Sequence, residues 1–392
     1  MKLTNCMQAM SLINKKSFLL TPVPGMFLPV VLSIISFVAL TGCNNINLHT
    51  TEALAADLPH TPVSAVLLSC AASPGASKGM VPIPGGMFTM GAAKQSNTKD
   101  AQPLHQVKVA AFKMDATEVT NAEFAAFVLA TGYKTIAEKP INWEEMKLIL
   151  APGTPKPADE DLQPGSLVFI APKHRVPLDD ISRWWTWVKG ADWKHPEGPS
   201  SSIAGKENYP VVQVSFADAE AYAKWGGKRL PTEAEWEFAA RGGMLNKEFA
   251  WGNELTPNGK YMANFFQGEF PYDNNGADGF AGLAPVKSFP ANAYGLYDMV
   301  GNVWELCSDL YVVEDFQNSC HNGPESNPRG PLKTKDPSDP FAVKHVSKGG
   351  SYLCSEQYCS NFKPSGRQGS AYDSGLSHTG FRCVMSNPEK HL

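Results

Sequence analysis

Two cysteines near the C-terminus, Cys354 and Cys359, are separated by four residues and follow a glycine-rich turn. Gly349 and Gly350 let the backbone adopt positive φ and approach other groups closely, which suits the entrance of a site. If the chain turns between the two thiols, they either form a disulfide or bind one soft metal ion as thiolates. The spacing alone favours a local disulfide in an exported protein, so the function has to be inferred from the surrounding sequence.

The composition indicates a large, loop-rich globular chain without a nucleic-acid partner. Of its 392 residues, 43% are hydrophobic, which is enough to bury one large domain or two ordinary ones. The chain has 33 glycines and 31 prolines, whereas charged residues make up only 18%. Its net charge of -4 leaves no basic surface of the kind that binds DNA or RNA.

The N-terminus carries the pattern of an export signal. An apolar run from Met26 to Leu40 follows two lysines and ends in small residues before Cys43. This order is typical of a signal peptide, and both Pro29 and the short run argue against a membrane-spanning helix. The last four residues of the segment 1–43 resemble the lipobox of bacterial lipoproteins, in which the cysteine is lipidated. We therefore expect an exported protein of the bacterial cell envelope, lipid-anchored through Cys43 and facing the periplasm; an uncleaved signal anchor is the alternative.

Beyond the signal, the sequence predicts one domain on a tether. Residues 44–79 are rich in Ala, Ser, Pro and Thr and predict a flexible spacer. Residues 80–388 then predict a single globular domain. At its start, Val81–Gly91 predicts two short strands around a Gly-Gly turn, and Val107–Met114 continues the strand pattern.

Three helices are predicted from their N-terminal capping residues. One begins at Thr120 in a capping box and ends at Gly132; the others begin at Ser215 and at Thr232. After Gly242 little periodicity remains, and Asn, Asp, Gly and Pro recur every few residues. Such segments are either ordinary turn clusters or loops held by calcium, which binds carboxylates, amides and backbone carbonyls.

The chain contains eight cysteines, and an even number remains once those of the signal and the lipid site are set aside. In an oxidising compartment such a set favours disulfides, although the sequence does not fix their connectivity. Cys307 with Cys320 is a plausible bridge, and Cys383 is a candidate buried thiol.

The domain resembles the formylglycine-generating enzymes, oxidases that activate type I sulfatases. The motifs that carry the resemblance span nearly the whole globular region and lie at residues 83–91, 118–127, 190–199, 225–237, 264–271, 294–305 and 380–383. The strings Arg-Leu-Pro-Thr-Glu-Ala-Glu-Trp-Glu and Gly-Asn-Val-Trp-Glu mark a wider superfamily that includes non-catalytic members. The resemblance implies an α+β, C-type-lectin-like fold with little regular secondary structure.

The resemblance also implies what the cysteine pair does, because Cys354 and Cys359 fall where these enzymes place their active-site cysteines. It implies that Cu(I) is held between the two thiolates, which are soft ligands that select this ion. Cys359 is then the residue nearest the substrate sulfur. The implied reaction uses O2 to convert the cysteine of a Cys-x-Pro-x-Arg motif in an unfolded sulfatase polypeptide to formylglycine. We expect the enzyme to be a monomer.

Other site residues are implied one by one. By the resemblance, Ser351 and Tyr358 lie beside the copper pair, Trp304 lines the pocket, and Arg367 is a pocket arginine. From the residues alone, Trp304 would be interpreted as a core aromatic and Arg367 as a surface charge. The chain departs from the eukaryotic pattern in lacking two disulfide cysteines, which leaves Cys383 without a mate.

Two structural calcium sites are implied in the same way. Each combines side-chain oxygens with backbone carbonyls, the ligands that calcium prefers. The first set is Asn264, Phe265, Asp278 and Phe280. The second set is Asp298, Met299, Gly301 and Val303.

A second hypothesis comes from a different class of protein. Some lipoproteins with this domain are structural parts of secretion or motility machines. On that reading the chain is a non-catalytic, lipid-anchored scaffold or binding protein, and Cys354 and Cys359 form only a disulfide.

Overall fold

The computed structural model describes residues 79–94, 96, 98–319 and 323–386, without the side chains of residues 318 and 319. The predicted signal peptide with Cys43, the tether as far as residue 78, and Cys320 lie outside the described residues. Within those residues, no helix combines the length and the apolar character needed to cross a membrane.

Short strands and helices alternate along the described chain. The strands are β1 (Met80–Ile83), β2 (Gly86–Met90), β3 (His105–Val109), β4 (Phe112–Asp115), β5 (Gly165–Phe169), β6 (Trp185–Lys189), β7 (Gly268–Glu269), β8 (Asp273–Asn274), β9 (Trp304–Leu310), β10 (Glu325–Ser326), β11 (Lys344–Lys348), β12 (Arg367–Ala371), β13 (Thr379–Gly380) and β14 (Val384–Ser386). The α-helices are α1 (Asn121–Thr131), α2 (Trp143–Met146), α3 (Phe216–Trp225), α4 (Glu233–Arg241) and α5 (Asp315–Ser319). Single 3-10 turns lie at Lys99–Ala101, Ile136–Glu138, Lys147–Ile149, Asp159–Leu162, Ile181–Arg183 and Pro257–Gly259. The prediction of an α+β fold with little regular structure is confirmed.

The three predicted helices form, and each begins where its capping residue predicts. Thr120, Ser215 and Thr232 each accept a hydrogen bond from the backbone N–H three residues later, and the carboxylate at that position bonds back. This reciprocal bonding satisfies amide groups that a helix otherwise leaves free. Gly132 and Gly242 end their helices with φ of 66° and 56°, a conformation that glycine adopts without strain.

The first strands pair differently from the predicted turn. β1 is an edge strand of a sheet ordered β1-β4-β14. β2 belongs to a different sheet, ordered β10-β3-β2. The two strands around the glycines are therefore confirmed, but they do not form a hairpin with each other. The strand pattern predicted at Val107–Met114 is confirmed, but it forms two strands, because β3 and β4 divide there and pair in different sheets.

A four-stranded sheet ordered β12-β11-β9-β13 supports the C-terminal half. β11 pairs antiparallel with both β12 and β9, and β13 pairs parallel with β9. This sheet was not predicted, since all five residues of β11 are buried, including Lys344 and Lys348. Strand patterns that alternate polar and apolar residues are absent from such a strand.

Buried ion pairs join this sheet to helix α4. Lys348 Nζ lies 3.2 Å from Glu233 Oε1 and 3.0 Å from Glu237 Oε2, and none of the three side chains is more than 4% exposed. Burial alone raises the pKa of both glutamates, but the neighbouring cations outweigh it and hold each pKa below its usual value. The carboxylates are thus charged and paired, as buried charges must be.

Two cysteines outside the candidate site are buried free thiols. Cys383 is 0% exposed and unpaired, as predicted. Cys307 is also a buried, free thiol at 0% exposure, and Cys320, the other half of the plausible bridge, lies outside the described residues. Burial raises the pKa of both thiols well above the ordinary value, so neither is reactive at neutral pH.

Candidate active site

The cysteine pair lies in a loop that connects β11 to β12, residues 349–366, which we call the thiol loop. Gly349 and Gly350 open it with φ of 88° and 73°. A Cβ on Gly349 would lie 2.8 Å from both the Met299 carbonyl oxygen and the Trp236 ring, and one on Gly350 would lie 2.7 Å from a backbone nitrogen. Glycine is therefore required at both positions by conformation and by close approach.

The turn after the glycines brings the two sulfurs together. Cys354 N–H donates to the Ser351 carbonyl at 2.9 Å, and Cys359 N–H donates to the Ser355 carbonyl at 3.2 Å. The Sγ atoms lie 2.7 Å apart, and both cysteines are free in this structure. An S–S bond measures about 2.05 Å, so this structure holds the pair in its reduced form.

The two thiols differ in their exposure. Cys354 is 1% exposed, whereas Cys359 is partly open to solvent. The hydrogen bond to Cys354 and then burial raise the pKa of Cys359 well above its usual value. Without a bound cation, Cys359 therefore retains its proton at neutral pH.

A small aromatic cavity surrounds the pair, with a volume of ≈10 Å³, which is room for about one water molecule. Its lining residues are Trp184, Trp185, Phe270, Trp304, Ser351, Leu353, Cys354, Tyr358, Cys359 and His378. Tyr358 stacks on Phe270 with ring centroids 4.5 Å apart, and Trp184 packs edge-on against both rings. No carboxylate belongs to this lining, so the cavity offers soft sulfur ligands within apolar walls.

The structure brings five of the six predicted catalytic residues to this cavity. Cys354, Cys359, Ser351, Tyr358 and Trp304 all line it. Trp304 is 0% exposed, so it is both a core aromatic and a wall of the cavity.

Arg367 is the exception, because the structure does not place it at the cavity. Its guanidinium bonds both Glu233 oxygens, at 2.8 and 3.0 Å, and lies over the rings of Tyr311 and Phe316. Arg367 is 0% exposed, so the interpretation as a surface charge is wrong as well. In this position it joins β12 to helix α4.

Five cavity residues were not predicted from the sequence: Trp184, Trp185, Phe270, Leu353 and His378. His378 lies just before the Gly-Phe-Arg-Cys motif, and Trp184 precedes β6. Neither belongs to a motif with recognisable spacing, and a lone His or Trp in a loop carries no signal of its own. Only the three-dimensional contact with the thiol loop identifies them.

Two of the four residues of the first predicted calcium set, Phe265 and Asp278, meet at Gln267. The Phe265 carbonyl and Asp278 Oδ2 both accept hydrogen bonds from Gln267 Nε2, so these two oxygens face one point. Asp278 Oδ1 accepts from the Phe280 amide at 2.9 Å, and Asn264 Nδ2 donates to the Asn302 side chain at 3.1 Å. Burial raises the pKa of Asp278.

The second predicted set lies in a tightly wound loop. Asp298, Gly301 and Asn302 have φ of 53°, 78° and 54°. Beside this loop lies Glu118, which the sequence analysis placed in a motif without a role. It is 0% exposed, and its Oε2 has no hydrogen-bond partner among the described residues. Burial and then the charge of Asp298 raise the pKa of Glu118, and burial raises the pKa of Asp298 to about 6.

In the part of the chain that the structure describes, no three His, Cys, Asp or Glu side chains converge as a metal cage requires.

The profile of the sulfatase-modifying factor enzyme 1-like domain, FGE-sulfatase, matches residues 69–387. A formylglycine-generating enzyme of Mycobacterium tuberculosis is 44% identical over 306 residues, which are 78% of this chain and 97% of that protein. The formylglycine-generating enzyme of Mus musculus is 45% identical over 310 residues, 79% of this chain and 75% of that protein. A Bos taurus protein named inactive C-alpha-formylglycine-generating enzyme 2 is 36% identical over 313 residues, 79% of this chain and 89% of that protein.

The chain therefore belongs to the family of the formylglycine-generating, sulfatase-modifying enzymes. This confirms the resemblance, the predicted fold and the predicted enzyme class.

The position of Arg367 generates a prediction about stability. Arg367→Met leaves the Glu233 carboxylate buried with one cation fewer, and we expect the free energy of unfolding to fall by about 3–5 kcal/mol. Urea denaturation followed by fluorescence measures this loss. Arg175→Met, which removes an exposed cation paired with Glu269, serves as the control and leaves the midpoint unchanged. If Arg367→Met lost its activity but kept its stability, Arg367 would have a role in the active site instead.

Proposed function

We propose that this protein uses O2 and Cu(I) to convert the cysteine of a Cys-x-Pro-x-Arg motif in an unfolded sulfatase to Cα-formylglycine. The observation that carries the proposal is the pair of free sulfurs, 2.7 Å apart, in a cavity walled by aromatic rings. Removal of two electrons from the substrate's CH2–SH group, followed by addition of water, gives the aldehyde and hydrogen sulfide. Dioxygen accepts the electrons and protons.

The residues at the pair fit cuprous copper. Two thiolates are soft ligands, and the absence of carboxylates from the cavity lining disfavours hard cations. The raised pKa of Cys359 shows that the pair alone does not hold two negative charges, which a bound cation would balance. When bound, Cu(I) would supply the redox centre for O2 and a site for the substrate sulfur.

The other cavity residues hold and shield the reacting group. The free volume of ≈10 Å³ admits little water, so an incoming side chain replaces solvent rather than sharing the space with it. Cys359, the more exposed thiol, is the one that an incoming substrate sulfur reaches first. Tyr358, fixed by its stack on Phe270, forms the wall next to it.

Substitution of either cysteine tests this proposal. Cys359→Ser and Cys354→Ser are expected to reduce aldehyde formation on a Cys-x-Pro-x-Arg peptide by at least about 10³-fold, because each removes a soft ligand. The assay supplies Cu(I), air and a thiol reductant, and mass spectrometry detects the aldehyde.

Cys307→Ala is the matched control, since it removes a buried free thiol outside the cavity and leaves turnover intact. Melting temperatures establish that all variants are folded. A wild-type protein that takes up copper but makes no aldehyde would support the alternative, a non-catalytic lipid-anchored scaffold.

We also propose that the two oxygen-rich loops bind structural calcium, at Asn264, Phe265, Asp278 and Phe280, and at Asp298, Met299, Gly301 and Val303. Gln267 Nε2, a partly positive group, lies between the Phe265 and Asp278 oxygens, at a point that a cation would occupy. At the second loop, the buried Glu118 Oε2 accepts no hydrogen bond among the described residues and lies 4.0 Å from Arg382 Nη2, so a cation bound here would give this carboxylate a closer partner. Glu118 thus joins the proposed second set.

Calcium addition is expected to raise the melting temperature of protein treated with a chelator by several degrees, since the ion binds only the folded state. Glu118→Gln is expected to lose about half of this rise, because one of the two proposed sites then lacks its second carboxylate. The exposed Glu160→Gln controls for the change in net charge. If calcium raised the melting temperature equally in the wild type and in Glu118→Gln, Glu118 would be excluded as a calcium ligand.

A third proposal concerns location: the protein acts as a monomer, exported and lipid-anchored in the bacterial envelope through Cys43. The apolar run before Cys43 and the spacer after it support this proposal. In an expressing bacterium, the full chain is expected to incorporate labelled palmitate and to sediment with membranes. Cys43→Ala is expected to abolish both, whereas Cys6→Ala changes neither. Palmitate labelling that persists in Cys43→Ala would place the lipid elsewhere.

A further inference from the structure

One buried histidine of the cavity has no role in the reaction as proposed so far. His378 is 3% exposed, and its backbone carbonyl accepts the Trp304 amide at 2.9 Å. Its ring packs edge-on against Trp185, with centroids 4.8 Å apart. These contacts fix both the backbone and the ring plane of His378 at the wall of the cavity.

The two ring nitrogens of His378 have different surroundings. Nδ1 lies 3.1 Å from the Ser351 hydroxyl, and Nε2 is buried without a hydrogen-bond partner among the described residues. Burial lowers the pKa of His378 to about 3, so the ring is neutral at pH 7 and carries one N–H. The position of that hydrogen decides what the ring presents to the cavity.

Hydrogen-bond accounting selects the tautomer. Ser351 Oγ already accepts from the Leu353 amide at 3.2 Å, and its hydroxyl hydrogen needs an acceptor. With the hydrogen on Nε2, Ser351 donates to Nδ1 and only the Nε2–H group lacks a partner. With the hydrogen on Nδ1, both the Ser351 hydrogen and the Nε2 lone pair lack one. An unpaired buried polar group is costly, so the first arrangement is preferred.

We infer that His378 presents Nε2–H as a hydrogen-bond donor in the thiol cavity, and that Ser351 is a positioning residue that fixes this donor through Nδ1. The complementary group is a hydrogen-bond acceptor of the bound polypeptide, a backbone carbonyl next to the cysteine that reacts. The inference rests on the proposed function for its substrate. It changes the role of Ser351, which acts through His378 rather than on the substrate.

The tautomer is tested on the metal-free protein, without any activity measurement. With ¹⁵N-labelled histidine at pH 7, NMR is expected to show His378 neutral, with the hydrogen on Nε2 and Nδ1 as an acceptor. Ser351→Ala is expected to shift the Nδ1 resonance. A hydrogen on Nδ1 in the wild type, or an Nδ1 resonance indifferent to Ser351→Ala, would overturn the inference.

The coupling between the two residues is tested by a double-mutant cycle on the copper-loaded enzyme with a Cys-x-Pro-x-Arg peptide. His378→Leu is expected to lower kcat/KM by about 10- to 100-fold, mainly through KM, because a ground-state contact is lost. Ser351→Ala is expected to lower it less, and adding it to His378→Leu is expected to change nothing further. If the fold-losses in kcat/KM of the two single variants multiplied in the double variant, Ser351 would act independently of His378.

Conservative variants separate the donor from general packing. The amide nitrogen of Gln reaches the place of Nε2, whereas that of Asn reaches only that of Nδ1. His378→Gln is therefore expected to recover most of the activity that His378→Leu loses, and His378→Asn is not. His345→Gln, at a buried histidine outside the cavity, is the control. A wild-type enzyme without activity would refute the proposed function, while the NMR result would still decide the tautomer.

Discussion

The geometry of the cysteine pair depends on a layer of buried ion pairs between helix α4 and the four-stranded sheet. Lys348 is the last residue of β11 and Arg367 the first of β12, and both bond Glu233. These two residues are also the anchors of the thiol loop. The loop that carries the sulfurs is therefore held at both ends by one carboxylate. Removing a partner from such a layer costs far more than removing a surface ion pair, because the remaining charge stays buried.

Rigid anchors explain how a loop without regular structure can hold two sulfurs in one place. The close packing of Gly349 against Trp236 and the Met299 carbonyl leaves no space for a different path. The Cys354 carbonyl accepts the Phe266 amide at 2.9 Å, which ties the loop to the neighbouring segment. The cavity thus combines residues of strands β6 and β9 with residues of the thiol loop and of other loops that are distant in the sequence. Their common support is the sheet and not a local motif.

The parts of this architecture that depend on local interactions could be predicted from the sequence. Capping boxes at Thr120, Ser215 and Thr232 specify helix starts within four residues, and the structure confirms all three. The central sheet could not be predicted, because β11 is fully buried and yet contains polar residues such as Lys348. Its sequence therefore lacks the alternation of polar and apolar residues by which a strand is recognised. Arg367 was misjudged for the same reason, since the carboxylate that pairs with it is 134 positions away in the chain.

The active site divides in a similar way. The spacing of Cys354 and Cys359 predicts a pair that can meet, and family motifs supply the reaction. Neither reveals His378 Nε2 or Glu118 Oε2. These two atoms are significant because they are buried and have no hydrogen-bond partner among the described residues. A sequence shows which polar groups exist. Only a structure shows which of them lack partners.

The small volume of the cavity limits the time at which a substrate cysteine can enter it. A space of ≈10 Å³ beside the two sulfurs admits a side chain but not the folded surroundings of one. With an unfolded sulfatase as the proposed substrate, the cysteine has to be offered on an extended stretch before that stretch collapses into a native core. On that proposal, modification and client folding compete, and the faster of the two sets the yield of modified client.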